Sequence, residues 1–326
     1  MTHPRRKFLR QSVTAGAGLF LLPGLISSCT STSSEEGDNT ESNDQGPSGP
    51  QLFFDISLAQ WSLHKTFFAG ELDALDFPQV TREKFDISAV EYVNQFFKDK
   101  AEDTEWLGQL KQRCDDNGVH SLLIMCDGEG NLGDTDDTAR KTAVTNHYKW
   151  VDAAAFLGCH SIRVNAAGQG TAEEVSAAAI DGLGQLCEYG AKSNINVIVE
   201  NHGSYSSNAE WLSSVIAQVG MDNCGTLPDF GNFCIQRSED GCAEEYDRYV
   251  GVRELMRYAK GVSAKTHDFG PDGSEIHTDY KQMLTIVKEA GYSGFIGIEY
   301  EGSEMGEYEG IQATKDLLVS VGEELS

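Results

Sequence analysis

The sequence predicts an α/β fold in which eight parallel strands close into a (β/α)8 barrel, and three features favour this class. Short apolar segments typical of buried strands recur about every 30–40 residues, the length that a strand, a helix and two loops require. Segments with helical spacing of apolar residues separate them, and this alternation indicates a parallel sheet. The alternative, an open doubly wound sheet, is disfavoured because no glycine-rich phosphate-binding motif follows the first strand.

The predicted strands are apolar runs rich in β-branched residues. They lie around Phe54–Ser62, Ile87–Val93, His120–Cys126, Ser161–Asn165, Val197–Glu200, Gly225–Asp229, Gly261–His267 and Gly294–Glu299. The domain that contains them spans residues 52–326. A chain of 326 residues with 40% hydrophobic content is long enough for one such barrel and needs no second domain.

Several of the intervening helices carry boundary signals. Thr171 and Glu174 have the spacing of a capping box, which predicts the start of a helix. Asn208 precedes an apolar stripe that Gly220 ends, and a third helix is predicted to stop at Gly291. Strand and helix signals therefore agree along the whole domain.

The amino terminus has the form of an export signal. Within residues 1–28, Arg5 and Arg6 precede a weakly apolar run, which resembles the twin-arginine signal of bacterial proteins exported after folding. The segment that ends at Cys29 resembles a lipobox, with Cys29 as the lipidated residue; a plain secretory signal cleaved nearby is the alternative. Residues 29–51 form a polar linker, which predicts a tether. We expect a periplasmic or cell-surface lipoprotein whose membrane contact is through its N-terminal lipid anchor.

The charge balance excludes one class of partner. The formal net charge is −26, and removal of the first 28 residues, with four basic and no acidic side chains, leaves 21 basic and 51 acidic residues. A domain with a net charge near −30 lacks the basic surface that nucleic-acid binding requires. A small neutral or cationic substrate fits better, and the sequence carries no signal for an oligomeric state.

Seven cysteines remain besides Cys29, and no pair has CxxC spacing, so a thiolate zinc site has no support. Cys234 and Cys242 could form a disulfide in the loop after the sixth strand. Buried free thiols are the alternative interpretation.

Acidic residues and a histidine stand at the ends of four consecutive predicted strands. They are Glu200, Asp229, His267 and Glu299. Because the carboxyl ends of barrel strands meet at one mouth, we expect these side chains to lie close together. Three carboxylates and an imidazole suit one divalent metal ion, Mn²⁺, Mg²⁺, Co²⁺ or Zn²⁺, which would relieve the repulsion among the carboxylates.

The seventh strand leaves the identity of its inward residue open. Ser263, Lys265 and His267 share one face by the period of two, so any of them could take the position at the mouth. Lys265 could instead polarise a substrate oxygen, as a catalytic residue.

Four motifs together resemble the xylose isomerase-like TIM-barrel family of sugar isomerases and epimerases. They are Val-Glu-Asn-His-Gly at 199–203, Pro-Asp-Phe-Gly-Asn-Phe at 228–233, Ala-Lys-Thr-His-Asp-Phe at 264–269 and Gly-Tyr-Ser-Gly-Phe-Ile-Gly-Ile-Glu-Tyr-Glu-Gly at 291–302. The resemblance implies a metal held by Glu200, Asp229, His267 and Glu299, with the two glutamates as an acid–base pair. Two features depart from the family pattern: a histidine often found at position 263 is a serine, and no substrate-binding arginine is evident after His267.

These observations predict a metal-dependent sugar isomerase or epimerase that moves a proton next to a carbonyl through an enediolate, with a small carbohydrate as substrate. The alternatives are a metal-assisted lyase or hydrolase of oxidised (keto) glycosides and a sugar-binding barrel without turnover. An endonuclease of this superfamily fits poorly, because it needs a basic DNA-binding face. Further residues predicted to bind substrate are His202, Glu91, Arg163, Asn165 and Asn232.

Overall fold

The computed structural model describes residues 52–239 and 241–326. The predicted export signal at 1–28, Cys29 and the linker up to residue 51 lie outside the described residues. Within the described ranges, no helix is both long enough and apolar enough to cross a membrane.

Parallel strands form the central sheet, and a short antiparallel hairpin lies apart from it. The strands are β1 (Asp55–Ala59), β2 (Ala89–Val93), β3 (His120–Met125), β4 (Ser161–Val164), β5 (Asn196–Glu200), β6 (Cys224–Leu227), β7 (Cys234–Ser238), β8 (Gly241–Glu245), β9 (Val262–Thr266) and β10 (Phe295–Tyr300). Eight of them pair side by side in the order β6-β5-β4-β3-β2-β1-β10-β9, and β7 pairs with β8.

Helices follow most of the barrel strands, as a (β/α)8 fold requires. The α-helices are α1 (His64–Phe68), α2 (Phe77–Phe85), α3 (Thr104–Asn117), α4 (Asp137–Leu157), α5 (Ala172–Gly190), α6 (Ala209–Val219), α7 (Arg248–Leu255), α8 (Tyr280–Glu289) and α9 (Glu307–Leu325). The predicted capping box of α5 is confirmed, since Thr171 accepts from the Glu174 amide and Glu174 accepts from the Thr171 amide. Asn208 caps the start of α6, and Gly220, which follows its last residue, has the left-handed conformation.

The sheet closes on itself between β6 and β9. Thr226 in β6 and Asp229 just beyond it form isolated parallel bridges to the chain around β9, at Thr226–Ala259 and Asp229–Ser263. The Ser263 amide donates to the Pro228 carbonyl (2.9 Å), and the Phe230 amide donates to the Ser263 carbonyl (3.1 Å). The predicted closed barrel is therefore confirmed, and its closing joint passes through Asp229.

The first strand is shorter than predicted. It ends at Ala59, and Gln60–Leu63 form a 3-10 helix that leads into α1. The cause is local: the Ser62 hydroxyl donates to the Ile298 carbonyl (3.0 Å) and accepts from the Tyr300 amide (3.0 Å). These bonds hold the chain across the end of β10, so it cannot continue as a strand.

The apolar core has two parts that follow from the alternation of side chains along the strands. A large cluster fills the layer between the strands and the helices. A small cluster includes Val93, Met125, Ile198 and Leu227. Val93 shares a strand face with Glu91, and Ile198 shares one with Glu200, so this small cluster and the acidic residues occupy the same interior.

The hairpin of β7 and β8 follows the loop after Asp229, and its side chains are mostly exposed. A disulfide joins Cys234 to Cys242, with Cα atoms 5.7 Å apart. Of the two interpretations left open by the sequence, the structure has the disulfide. The free thiols within the described ranges are all buried: Cys114, Cys126, Cys159, Cys187 and Cys224.

Candidate active site

Three buried carboxylates meet at the carboxyl ends of the strands. Glu200 is the last residue of β5, Asp229 lies two residues beyond β6, and Glu299 is the fifth residue of β10. One oxygen from each lies within 4.8 Å of the others, and all three side chains are buried. The predicted convergence of these three residues is thus present in the structure.

Glu200 is held from two sides. Its Oε1 accepts from Asn232 Nδ2 (2.8 Å), and its Oε2 lies 2.7 Å from Arg163 Nε. The Arg163 N–H is not aligned for a hydrogen bond, so this contact is an ion pair and Glu200 Oε2 has no hydrogen-bond donor. Arg163 also donates to Asp127 Oδ1 (2.9 Å), so one guanidinium serves two carboxylates.

Asp229 is fixed by the backbone of its own loop. Its Oδ1 accepts from the amides of Gly231 and Asn232, each at 2.8 Å. Asn201 accepts from the Asp229 amide and donates to the Asp229 carbonyl, so the end of β5 positions the loop after β6. The remaining oxygen, Oδ2, accepts from the Ser263 hydroxyl at 2.7 Å.

Glu299 shares its partners with two neighbouring acids. Lys265 Nζ lies 2.8 Å from Glu299 Oε1 and 2.7 Å from Glu301 Oε1, and 3.8 Å from Asp229 Oδ2. The Ser263 hydroxyl lies 3.0 Å from Glu299 Oε2 and 2.7 Å from Asp229 Oδ2, although it has only one hydrogen to donate. Lys265 and Glu299 are also directly paired in the β9–β10 register.

The prediction that His267 belongs to this group requires a correction. His267 lies one residue beyond β9, and its amide donates to a carboxylate oxygen of Glu275. Its ring packs edge-on against His277, with the ring centres 6.1 Å apart. Ser263 and Lys265 take the inward positions of β9 instead. Beyond Thr266 the His267 amide donates to the Glu275 side chain (3.3 Å) and not to a neighbouring strand, so the alternation that places Ser263 and Lys265 inward does not extend to His267.

A cavity of about 240 Å³ opens beside Glu299. Its lining combines acidic, basic and apolar side chains: Trp61, Val93, Gln95, Met125, Asp127, Arg163, His202, Glu299 and Glu301. A ligand in this space would therefore contact both Glu299 and the Arg163 guanidinium.

Burial changes the proton affinity of the acidic groups. It raises the pKa of Asp229 to about 7 and raises the pKa of Glu299, while the Lys265 charge opposes both changes. Burial also raises the pKa of Glu91 to about 7, against a hydrogen bond from Ser57. Burial alone would lower the pKa of Lys265, but the charges of Glu299, Asp229 and Glu301 raise it well above its usual value. Lys265 is therefore an ammonium ion in this site.

The predicted substrate-binding residues have different surroundings. Arg163 and the exposed His202 line the cavity. Asn232 binds Glu200, and Asn165 donates to Asp127 at 2.7 Å, so both position acidic side chains. Glu91 is buried and accepts from Ser57 at 2.6 Å.

Sequence reasoning missed part of the cavity. Glu301 lies two residues beyond Glu299, and the same period of two could have identified it as a second inward acid. Trp61 falls within the first predicted strand, but the 3-10 helix after β1 brings it to the cavity wall. Gln95 follows β2 and had no signal in the sequence that distinguished it from any other loop residue.

The donor set fits a divalent cation. Its hard carboxylate oxygens are the ligands such ions prefer, and one oxygen from each of Glu200, Asp229 and Glu299 lies within 4.8 Å of the others. The carboxylates also outnumber the cationic side chains that contact them, which are Lys265 and Arg163 against Glu200, Asp229, Glu299, Asp127 and Glu301. The three buried carboxylates could therefore hold a metal ion.

Solved structures share this fold at low sequence identity. The IOLI protein with a bound zinc atom is 15% identical, with a TM-score of 0.63, over 83% of this chain and 99% of that chain. An L-ribulose 3-epimerase is 14% identical, with a TM-score of 0.62, over 83% and 95% of the two chains. The 3-keto-D-glucoside 4-epimerase YcjR from E. coli is 11% identical, with a TM-score of 0.59, over 83% and 100%.

A search of curated proteins found no match to the sequence. A family model described as xylose isomerase-like TIM barrel matches residues 83–319. This range covers most of the chain and all but the first of the barrel strands. The protein therefore belongs to the xylose isomerase-like TIM barrel family.

Proposed function

We propose that this protein is a metal-dependent sugar isomerase or epimerase that moves a proton at a carbon next to a carbonyl. The observation that carries the proposal is the group of Glu200, Asp229 and Glu299, whose oxygens lie within 4.8 Å of one another beside a cavity that Glu299 lines. A divalent cation held by these three residues would supply the charge that stabilises an enediolate oxygen.

The two glutamates are suited to opposite ends of a proton transfer. Glu299 lines the cavity, so its carboxylate can reach a proton on a carbon of a bound sugar. Glu200 comes from a different strand and is oriented by Arg163 and Asn232. We propose that Glu299 and Glu200 remove and return the proton, and that Lys265 acts as a third catalytic residue by neutralising charge on the substrate oxygen.

The cavity indicates the size of the substrate. Its volume of about 240 Å³ lies below the range of about 300–1,000 Å³ that is common for sites of drug-sized ligands. The polar groups at its wall, Arg163, Asp127 and Gln95, can bind hydroxyl groups, and Trp61 offers an apolar face. These features support a single small carbohydrate, in agreement with the sugar epimerases that share the fold.

A second candidate function is cleavage of an oxidised glycoside by the same enolising site. It is favoured by a groove of about 370 Å³ that shares Gln95 with the cavity and is lined by Phe67, Phe68, Phe96, Phe97 and Trp106 among others. An aromatic groove next to a sugar site could hold an aglycone. In that reaction the enediolate would expel the leaving group at the neighbouring carbon.

We further propose that the protein works outside the cytoplasm as a lipid-anchored protein exported by the twin-arginine route. The sequence signals at residues 1–29 support this proposal, and so does the Cys234–Cys242 disulfide, because disulfides persist in oxidising compartments. Labelling of the protein by a radioactive or alkyne-bearing fatty acid, lost in Cys29→Ser, would test it.

The test of the catalytic proposal is solvent hydrogen exchange. Ketoses and 3-keto glycosides are incubated with the Mn²⁺-loaded protein in D₂O, and the products are followed by NMR. Epimerisation predicts a new stereoisomer with deuterium next to the carbonyl, whereas cleavage predicts release of the aglycone. Unchanged substrates without deuterium, in a protein that binds them, would support the sugar-binding alternative and contradict an enzyme.

A further inference from the structure

Lys265 lies among the carboxylates at the position where a cation would be expected. Its Nζ atom contacts Glu299 Oε1 at 2.8 Å and lies 3.8 Å from Asp229 Oδ2. Both residues belong to the group that could hold a metal ion. Lys265 is only 3% exposed, so its ammonium lies among these acids and not in solvent.

The chain is built around this lysine. A Cβ atom at Gly231 would lie 2.8 Å from Lys265 Cγ, so the absence of a side chain at position 231 makes room for the lysine stem. Tyr280 donates to the Lys265 carbonyl at 2.9 Å and fixes the backbone there. Lys265 is therefore a defined part of the site and not a surface lysine that has folded inward.

Lys265 also has a second anchor outside the group. Its Nζ contacts Glu301 Oε1 at 2.7 Å, and Glu301 does not belong to the three converging carboxylates. A lysine carries a compact charge on a flexible stem, so a small rotation moves its ammonium from one acid towards another. Ser263, on the same face of β9, lies between Asp229 and Glu299 and adds no charge to this space.

A divalent ion and the ammonium cannot both contact the same oxygen without strong repulsion. Lys265 Nζ lies 2.8 Å from Glu299 Oε1 and 3.8 Å from Asp229 Oδ2, so an ion held by these two carboxylates would lie close to a like charge. We propose that Lys265 is a built-in competitor for the divalent cation: its ammonium neutralises Glu299 and Asp229 when no ion is bound, and an ion binds only when the ammonium releases Glu299 and keeps its contact with Glu301. The inference goes beyond the proposed function, because it concerns control of the cation and not the sugar chemistry.

The test is titration of the metal-stripped protein with Mn²⁺ alone, followed by calorimetry and by the loss of the free Mn²⁺ EPR signal. Lys265→Met keeps the length of the stem and removes the charge, and we expect it to bind Mn²⁺ at least tenfold more tightly than the wild type. Lys265→Arg keeps the charge and should not bind more tightly than the wild type. Equal or weaker binding by Lys265→Met overturns the inference.

A second pair of variants keeps the inference testable if Lys265→Met does not fold. Glu301→Gln removes the anchor with which the ammonium keeps contact, and Asp127→Asn removes the same charge on the Arg163 side. We expect Glu301→Gln to weaken Mn²⁺ binding several-fold more than Asp127→Asn. Equal effects would show that only the lost charge matters and would overturn the inference.

The outcome is independent of the sugar reaction, because these titrations contain no carbohydrate. If no variant binds Mn²⁺, competition at this site is overturned, while deuterium exchange into a sugar still decides the proposed proton transfer. If Lys265→Met binds tightly but no sugar exchanges hydrogen, the inference stands and the proposed function fails.

Discussion

The two glutamates of the site have similar partners that differ in one respect. Glu200 pairs with Arg163, which also contacts Asp127; Glu299 pairs with Lys265, which also contacts Glu301. On each side one cation therefore bridges two carboxylates, and Lys265 Nζ also lies 3.8 Å from Asp229 Oδ2. An arginine is a rigid, permanently charged fork, whereas a lysine is a point charge on a flexible stem.

This difference indicates a division of roles. Arg163 lies on β4 with its charge fixed between two acids, which keeps Glu200 in one orientation. Lys265 on β9 can release Glu299 while it keeps its contact with Glu301. The positive charge beside Glu299 can therefore move, whereas the charge beside Glu200 is fixed. Substitutions on the two sides should therefore differ in the size of their effect and in their response to a divalent metal ion.

The largest effect is expected from removal of the Glu299 charge. Glu299→Gln keeps the shape of the side chain but cannot accept a proton, so turnover should fall by a factor of about 10²–10⁴. The measurement is kcat for the sugar that shows solvent exchange. Glu324→Gln, which breaks an exposed pair with Lys281, is the matched control and should leave kcat unchanged. Retained turnover in Glu299→Gln would remove the catalytic assignment.

The second-largest effect is expected on stability, and it should differ between Arg163 and Lys265 when a metal ion is added. Arg163→Met breaks a buried ion pair and leaves Glu200 uncompensated, which costs about 3–5 kcal/mol of stability. Lys265→Met should destabilise the metal-free protein as well. Added Mn²⁺ should restore more of the lost stability in Lys265→Met than in Arg163→Met. Thermal unfolding with and without Mn²⁺ measures this. Equal recovery of both variants would contradict unequal roles.

Glu91 extends the comparison to a buried acid whose hydrogen bond comes from a hydroxyl, Ser57, and not from a cation. Its pKa is raised from 4.5 to about 7, so the folded state binds its proton more tightly than the unfolded state does. The stability contributed by this proton is complete below pH 4.5 and is lost as the pH rises through about 7.

Glu91→Gln removes this dependence. We expect the variant to be more stable than the wild type by about 3 kcal/mol at pH 8 and to lose that advantage near pH 4.5. Denaturant unfolding at several pH values is the measurement. A difference between the two proteins that does not change with pH would contradict the raised pKa.

The smallest effect is expected away from both glutamates. Phe68 is 62% exposed beside the aromatic groove and packs edge-on against Trp61. Phe68→Ala should change stability by no more than about 0.5 kcal/mol and leave monosaccharide turnover almost unchanged. For a keto glycoside with an aromatic aglycone, we expect KM to rise. An unchanged KM for such a glycoside would remove the support that the groove gives to cleavage.

The sequence predicted those parts of the site that follow from where strands end. Glu200, Asp229 and Glu299 each follow an apolar run, and the closed barrel brings them together. The choice among Ser263, Lys265 and His267 depends on where β9 ends and on the pairing of Lys265 with Glu299. Side-chain alternation shows that the three residues share a face, but it does not give the pairing register of β9 with β10. The local sequence pattern therefore could not decide which of them lies at the site.

Other features depend on contacts between distant segments. The early end of β1 results from Ser62 bonding to β10, more than 200 residues away in the chain. The hairpin of β7 and β8 is polar and exposed, so it lacks the apolar alternation that marks a strand. Neither feature has a local signal that propensity or periodicity would detect.

The closing joint of the barrel has a consequence for local dynamics. Between β6 and β9 the wall is held by isolated bridges and by backbone hydrogen bonds that involve Phe230 and Ser263. Sparse pairing lowers the free energy of local opening, so these amides should exchange with solvent sooner than those inside β5. Asp229 lies on one side of this joint, and Glu299 reaches it from β10, which pairs with β9. Any ligand that joins the two carboxylates would hold the wall closed. Slower hydrogen exchange at these amides would then show that the ligand site is occupied.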